Sequence, residues 1–146
     1  MAPLPPRVEA MVAELAALDA LEDKYDALIE MGRAVPELPE ALKTPERRVL
    51  GCQSLVHVAV GLGPDGRVEL GGHADALIVN GLLALLVLGL DRSTPEEFLA
   101  VDPRFIEATG VLKALTPSRS NGFYNIHRKL AEGVRALGRP AAPPAR

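Results

Sequence analysis

Residues 49–70 read VLGCQSLVHVAVGLGPDGRVEL. The first part is rich in β-branched residues, with Val56, Val58 and Val60 at every second position. β-branched residues favour extended backbone, so this composition predicts a strand. Gly63-Pro64-Asp65-Gly66 follows, a turn in which each residue type has a reason. Glycine reaches positive φ, proline presets its own φ, and aspartate bonds nearby backbone. Arg67-Val68-Glu69-Leu70 then alternates polar and apolar. The stretch predicts an antiparallel hairpin of Val49–Leu62 with Arg67–Leu70, ended by Gly71-Gly72-His73-Ala74.

Outward from the hairpin the apolar period changes to that of a helix. Val8, Met11, Val12, Leu15 and Leu18 predict a helix over 7–18. Asp19 and Glu22 form a D-x-x-E capping pattern, so a second helix starts near Ala20 and stops at Gly32. Pro36, Pro39 and Pro45 make 33–46 an irregular connection. Asp75 stands at the N-cap position before ALIVNGLLALLVLGL, residues 76–90. That run is shorter than the ~20 residues a membrane span needs, and reads as a buried core helix. Further starts fall at Ser93-Thr94-Pro95 and Asp102-Pro103, with proline at the first helical position. Thr116-Pro117-Ser118 opens a last helix through Phe123, Ile126, Leu130, Val134 and Leu137.

Segregated helices and strands predict an α+β fold, a small antiparallel sheet packed by helices. The glycines form no P-loop and no G-x-G-x-x-G after a strand, against a βαβ nucleotide fold. The 146 residues suit one domain spanning 1–146, with Pro-rich ends at 1–6 and 139–146 expected to be loose.

Charge narrows the function. Sixteen basic and 19 acidic side chains give a net charge of −3, so nucleic acid is not the expected partner. The N-terminus has no apolar signal core, and a cytoplasmic chain without membrane attachment is expected. Monomer and homodimer both stay open. There is one cysteine, Cys52. It excludes an internal disulfide, a CxxC pair, a four-cysteine zinc site and a cluster held by four thiolates of this chain.

Cys52 lies in Leu50-Gly51-Cys52-Gln53-Ser54, with Lys43, Arg47 and Arg48 upstream. Gly51 gives the backbone freedom to turn. Gln53, the one glutamine, and Ser54 place polar groups beside the sulfur. The upstream cations are expected to lower the thiol pKa. Two readings stand at this point: an inert buried thiol and a reactive one. On paper, Cys52 with His57 or His73 and Asp75 makes a Cys–His hydrolase or transferase. The third histidine is His127, and no metal-ligand spacing is present. Thr116-Pro117-Ser118-Arg119-Ser120-Asn121-Gly122 is more polar than a cap requires. Arg119 is expected near an anion or a thiolate, because its guanidinium stays charged.

Four segments together resemble one family. They are Leu21-Glu22-Asp23-Lys24-Tyr25 with Leu28 to Gly32, Val49 to Val56, Ala74 to Leu82, and Leu115 to Gly122. In order and spacing they are similar to the SufE family of sulfur acceptors, over about residues 10–137. The resemblance implies an α+β fold shared with iron–sulfur scaffold proteins of the U type. It implies that Cys52 takes persulfide sulfur from a SufS-type cysteine desulfurase and passes it to a SufBCD-type scaffold. Pyridoxal phosphate would belong to the desulfurase, and this chain would need no cofactor and turn over nothing alone. Gly51, Gln53 and Ser54 would shape the loop, with Asp75 and Arg119 in its polar surround. The chain departs from the family pattern at Leu55, His57, Ala74 and Asn80.

The implied chemistry has the form of thiol–disulfide exchange, so thiolate fraction and access control it. The loop must shield a persulfide yet present it to partners. Residues 48–54 are therefore expected to be partly buried at rest and to move on docking.

Overall fold

The computed structural model describes residues 3–137. Among them are five α-helices: α1 (Pro6–Ala16), α2 (Leu21–Gly32), α3 (Leu77–Leu90), α4 (Pro95–Ala100) and α5 (Pro117–Leu137). Strands β1 (Val56–Leu62) and β2 (Val68–Ala74) form one antiparallel sheet. Four 3-10 helices fill the connections: Glu40–Leu42, Pro45–Arg47, Pro103–Thr109 and Val111–Ala114. The fold is α+β, as the hairpin and flanking periodicities predict.

The hairpin register pairs Val56 with Ala74 and Leu62 with Val68. Its turn closes through Gly63 N–H donating to the Arg67 carbonyl at 2.8 Å. Asp65 Oδ1 accepts from Arg67 N–H at 3.2 Å, the backbone bond expected of an aspartate in a turn. β2 does not stop at Gly71-Gly72; it runs through His73 and Ala74, because β1 supplies ladder partners along that whole length. β1 is shorter than expected: it begins at Val56, and residues 49–55 leave the ladder as a loop. The loop's base is tied by Val49 N–H donating to the Val56 carbonyl at 2.8 Å.

α3 is the centre of the core. Leu82, Leu83, Leu85, Leu86 and Leu90 are wholly buried. Each such burial contributes ~1.5–3 kcal/mol relative to exposure. α3 is apolar on all sides because α1, α2, α5 and β2 all pack on it. None of the helices among the described residues is long and apolar enough to cross a membrane.

Start signals read from the sequence match the structure where the cap is local. Thr94 Oγ1 accepts from Glu97 N–H at 3.1 Å, and Asp102 Oδ1 from Arg104 N–H at 2.9 Å. Two expected devices are absent: no side-chain cap bond serves α2 from Asp19, and Ala76 rather than Asp75 is the N-cap of α3. Gly32 is the last residue of α2, but not as a left-handed stop. The residue after it, Arg33, stays right-handed at φ −66°. A Cβ on Gly32 would lie 2.6 Å from the Gly81 nitrogen, and one on Gly81 2.4 Å from the Leu28 carbonyl. These glycines let α2 and α3 cross with their backbones nearly touching.

Of the N-terminal stretch expected to be loose, residues 1–2 lie outside the described residues. Pro6 is the first residue of α1, and Leu4 packs against the core. Residues 139–146 lie outside the described residues. Lys24 of α2 is 7 % exposed, a rare place for a lysine. Its Nζ donates to the Leu15 carbonyl at 2.6 Å and the Thr109 carbonyl at 3.0 Å. One cation thereby serves the carbonyl ends of two helices, where the helix dipole favours positive charge.

Candidate functional site

The loop between Val49 and Val56 places Cys52 against the first turns of α5. Gly51 turns the chain with φ +83°, a region closed in practice to residues with a Cβ. Asn125 Nδ2 donates to the Gly51 carbonyl at 3.1 Å. A Cβ on Gly51 would sit 2.6 Å from that nitrogen. The loop's far end is held by Asp75, whose Oδ1 accepts from Leu55 N–H at 3.0 Å. Asp75 N–H in turn donates to the Leu55 carbonyl at 3.1 Å. The side chain expected to cap a helix thus clamps the loop to the hairpin.

Cys52 is half-buried, and its Sγ–H points at the Gly122 carbonyl, 3.8 Å away. A Cβ on Gly122 would have Sγ as its one neighbour within 4 Å, at 3.6 Å. A recess of about 10 Å³ lies beside the sulfur, with Gly122 in its lining. That is roughly room for a single water-sized atom. Val79 and Leu82 of α3 give it an apolar floor; Ser54, Ser118 and Arg119 give it a polar rim. Arg119 Nη1 donates to Ser54 Oγ at 2.6 Å, and Ser54 is itself buried. Thr116 Oγ1 accepts from Arg119 N–H at 3.3 Å, fixing the first turn that carries the guanidinium.

Burial pushes the Cys52 thiol above its ordinary pKa, and the Arg119 charge opposes that shift only in part. The expected lowering by Lys43, Arg47 and Arg48 is not what the structure gives. Lys43 pairs with Glu40 at 2.6 Å, and Arg47 donates to Thr44 Oγ1 at 3.1 Å. The charge that reaches the sulfur is Arg119, and desolvation outweighs it.

Of the residues singled out from sequence, Gly51, Cys52, Gln53, Ser54 and Arg119 come together, with Asp75 at the loop's end. Gln53 is exposed on the rim. His57 and His73 do not join them. They face each other across β1 and β2, and neither lines the recess. His127 packs instead on Phe98, rings parallel with centroids 5.8 Å apart. A Cys–His hydrolase needs a base within hydrogen-bond reach of its thiol, and the Cys52 hydrogen bond goes to the Gly122 carbonyl. Among the described residues no group of three or more His, Cys, Asp and Glu is placed to hold a metal ion.

Sequence reasoning missed Asn125, the Gly122 carbonyl, and the floor of Val79 and Leu82. A signal for the first was available. Asn125 follows Gly122 by three positions, so both share one face of α5.

A family model described as SufE, Fe-S metabolism associated domain, matches residues 9–134. An uncharacterized SufE-like protein of Synechocystis sp. is 40% identical over 129 residues, 88% of this chain and 80% of that protein. The solution structure of a hypothetical protein from Thermus thermophilus is similar with a TM-score of 0.80 and 28% identity. It covers 94% of this chain and 100% of that one.

Proposed function

The chain belongs to the SufE family, and from that premise we propose that Cys52 accepts persulfide sulfur from a SufS-type cysteine desulfurase. The acceptor then delivers it to a SufBCD-type scaffold in Fe–S metabolism. The observation that carries this reading is the seat of the sulfur. A lone thiol on a clasped loop borders a recess about one atom in size, between an apolar floor and a guanidinium.

The step balances without an outside oxidant. Cys52 loses its proton to solvent as the loop opens, and the thiolate attacks the outer sulfur of the donor's persulfide. A new S–S bond forms on Cys52, the donor's S–S bond breaks, and the donor thiolate leaves and is reprotonated. No electrons are gained or lost overall. Pyridoxal phosphate, on this reading, works in the desulfurase. The recess fits the one sulfur atom that arrives, and Arg119 stands where a persulfide anion would need positive charge.

The test is intact mass after incubation with desulfurase and free cysteine. Wild type gains one sulfur, removable by reductant, and Cys52→Ser gains none. Equal masses before and after, for wild type, overturn the proposal. Thiol labelling of Cys52 checks the moving loop: docking of the desulfurase accelerates it, and equal rates with and without partner refute the motion.

A further inference from the structure

Beside the cysteine loop runs an open groove of about 210 Å³, walled by Arg48 and Leu50 on one side and Asn125, Arg128, Lys129 and Glu132 of α5 on the other. Its charge is out of keeping with the chain. The protein carries a net −3, yet this groove gathers three cations against one carboxylate. Their donors are also unused. Several cations elsewhere pair with carboxylates: Arg33 with Glu30, Lys43 with Glu40, Arg67 with Glu97, Arg92 with Asp65, Arg104 with Asp102. Lys113 and Arg135 stand alone among the described residues, but singly rather than as a group. Among the described residues, the side chains of Arg48, Arg128 and Lys129 reach no acid within 4.0 Å and make no hydrogen bond.

The groove is continuous with the cysteine site. Leu50 in its wall is two residues from Cys52 and 78% exposed. Asn125, in the opposite wall, is the residue that clasps the Gly51 carbonyl. Any protein that reaches Cys52 covers Leu50, and an apolar side chain beside three free cations asks for an apolar residue beside carboxylates.

We infer that this groove seats an acidic segment of the protein that delivers sulfur to Cys52; the inference rests on the sulfur-acceptor reading. A nucleic-acid backbone fits poorly, since three cations on a net-negative chain offer few phosphate contacts. The occupant is the donor rather than the next acceptor because the Cys52 Sγ–H is turned inward to the Gly122 carbonyl and has to be freed before the sulfur can attack a persulfide. The donor is the partner whose persulfide needs an attacking thiolate, and so the one that must open the loop. Carboxylates in the groove lie against the Asn125 clasp, so docking and loop release happen at one place.

The experiment measures Kd of the full chain for a purified SufS-type desulfurase by calorimetry at low and high salt. Arg128→Glu/Lys129→Glu raises Kd about tenfold or more at low salt, since exposed attractive pairs become repulsive. The gap narrows at high salt, where screening shortens the range of surface charges. Lys113→Glu makes half the charge change on the 3-10 helix Val111–Ala114, which does not line the groove. It leaves Kd within about twofold, the small effect expected of a lone surface charge away from the contact. Should the double variant fail to fold, Arg48→Glu, exposed on the loop side, takes its place with about a threefold effect. An unchanged Kd overturns the inference. So does an equal loss with Lys113→Glu, which makes net charge the cause, or a loss of SufBCD affinity with desulfurase affinity intact. Sulfur loading of wild type is scored in the same samples by mass. Loading with an unchanged Kd sinks the groove and leaves transfer standing; no loading in wild type sinks transfer itself.

Discussion

Gly122→Ala separates stability from function at the candidate site. Gly122 lies inside α5, where glycine is less favourable than alanine by ~0.8–1 kcal/mol. The added methyl meets one neighbour within 4 Å, the Cys52 sulfur at 3.6 Å, an ordinary contact. The resting fold therefore accepts it without a clash, and stability rises by ~0.5–1 kcal/mol. Tm rises with it, by roughly 1–4 °C for a chain of this size. The same methyl occupies the room beside the sulfur, a recess of only about 10 Å³. An outer persulfide sulfur, ~2.05 Å from Sγ, then has to point outward to solvent. The variant is expected to melt later and to lose its sulfur severalfold faster to glutathione. Differential scanning calorimetry gives the first quantity. Intact mass against time after loading gives the second. A fall in Tm refutes the packing argument. A persulfide that survives as long as in wild type refutes the idea that the recess shelters it.

Arg119→Gln removes the one charge that holds the Cys52 thiol pKa down against burial. The pH midpoint of Cys52 alkylation moves upward, and a midpoint that stays put or falls contradicts this assignment. Asn125→Ala frees the Gly51 carbonyl at a cost of about 1 kcal/mol, one net hydrogen bond. Iodoacetamide labels Cys52 faster in that variant at every pH, and an unaltered rate means that Asn125 is no clasp. Lys24→Met keeps the buried stem but leaves the Leu15 and Thr109 carbonyls without their charged donor. Urea unfolding is expected to show a loss of about 2–4 kcal/mol; a loss under about 1 kcal/mol, the size of one ordinary hydrogen bond, shows that the lysine merely fills space.

What the sequence disclosed was what local chemistry decides. The β1–β2 turn was legible because Asp65 bonds Arg67, two residues on. The starts of α4, α5 and the Pro103 helix were legible because Thr94, Thr116 and Asp102 each cap within three residues. α3 was legible because its apolar run fits only a fully buried helix. The candidate site was legible through Cys52, Gly51, Ser54 and Arg119, whose residue types are unusual for their positions. Asp75 was also named, and the three-residue step from Gly122 marks the face of α5 that carries Asn125, but what each of them holds depends on contacts far apart in the chain. Asp75 reaches back 20 positions to Leu55, Asn125 reaches 74 to Gly51, and the Gly122 carbonyl lies 70 from Cys52. The direction of the thiol pKa was misread for the same reason. Nearby cations are visible in sequence, whereas burial is a property of the closed fold.

That misreading bears on how a sulfur acceptor avoids premature chemistry. A thiol activated at rest, by a histidine or by unscreened cations, would react with any electrophile or oxidant that reached it. Burial instead pushes the Cys52 thiol pKa up, its Sγ–H is bonded to the Gly122 carbonyl, and Asn125 and Asp75 clasp either end of its loop. On the proposed function, opening the loop exposes the sulfur and removes its desolvation together. Thiolate fraction and access then rise in one event, at the moment a partner supplies the persulfide. The absence of a second cysteine completes the arrangement. On the same proposal, a sulfur carried on Cys52 meets no second thiol in the sequence of 146 residues that could attack it, form a disulfide and release sulfide. It would then leave only to a nucleophile that arrives from outside.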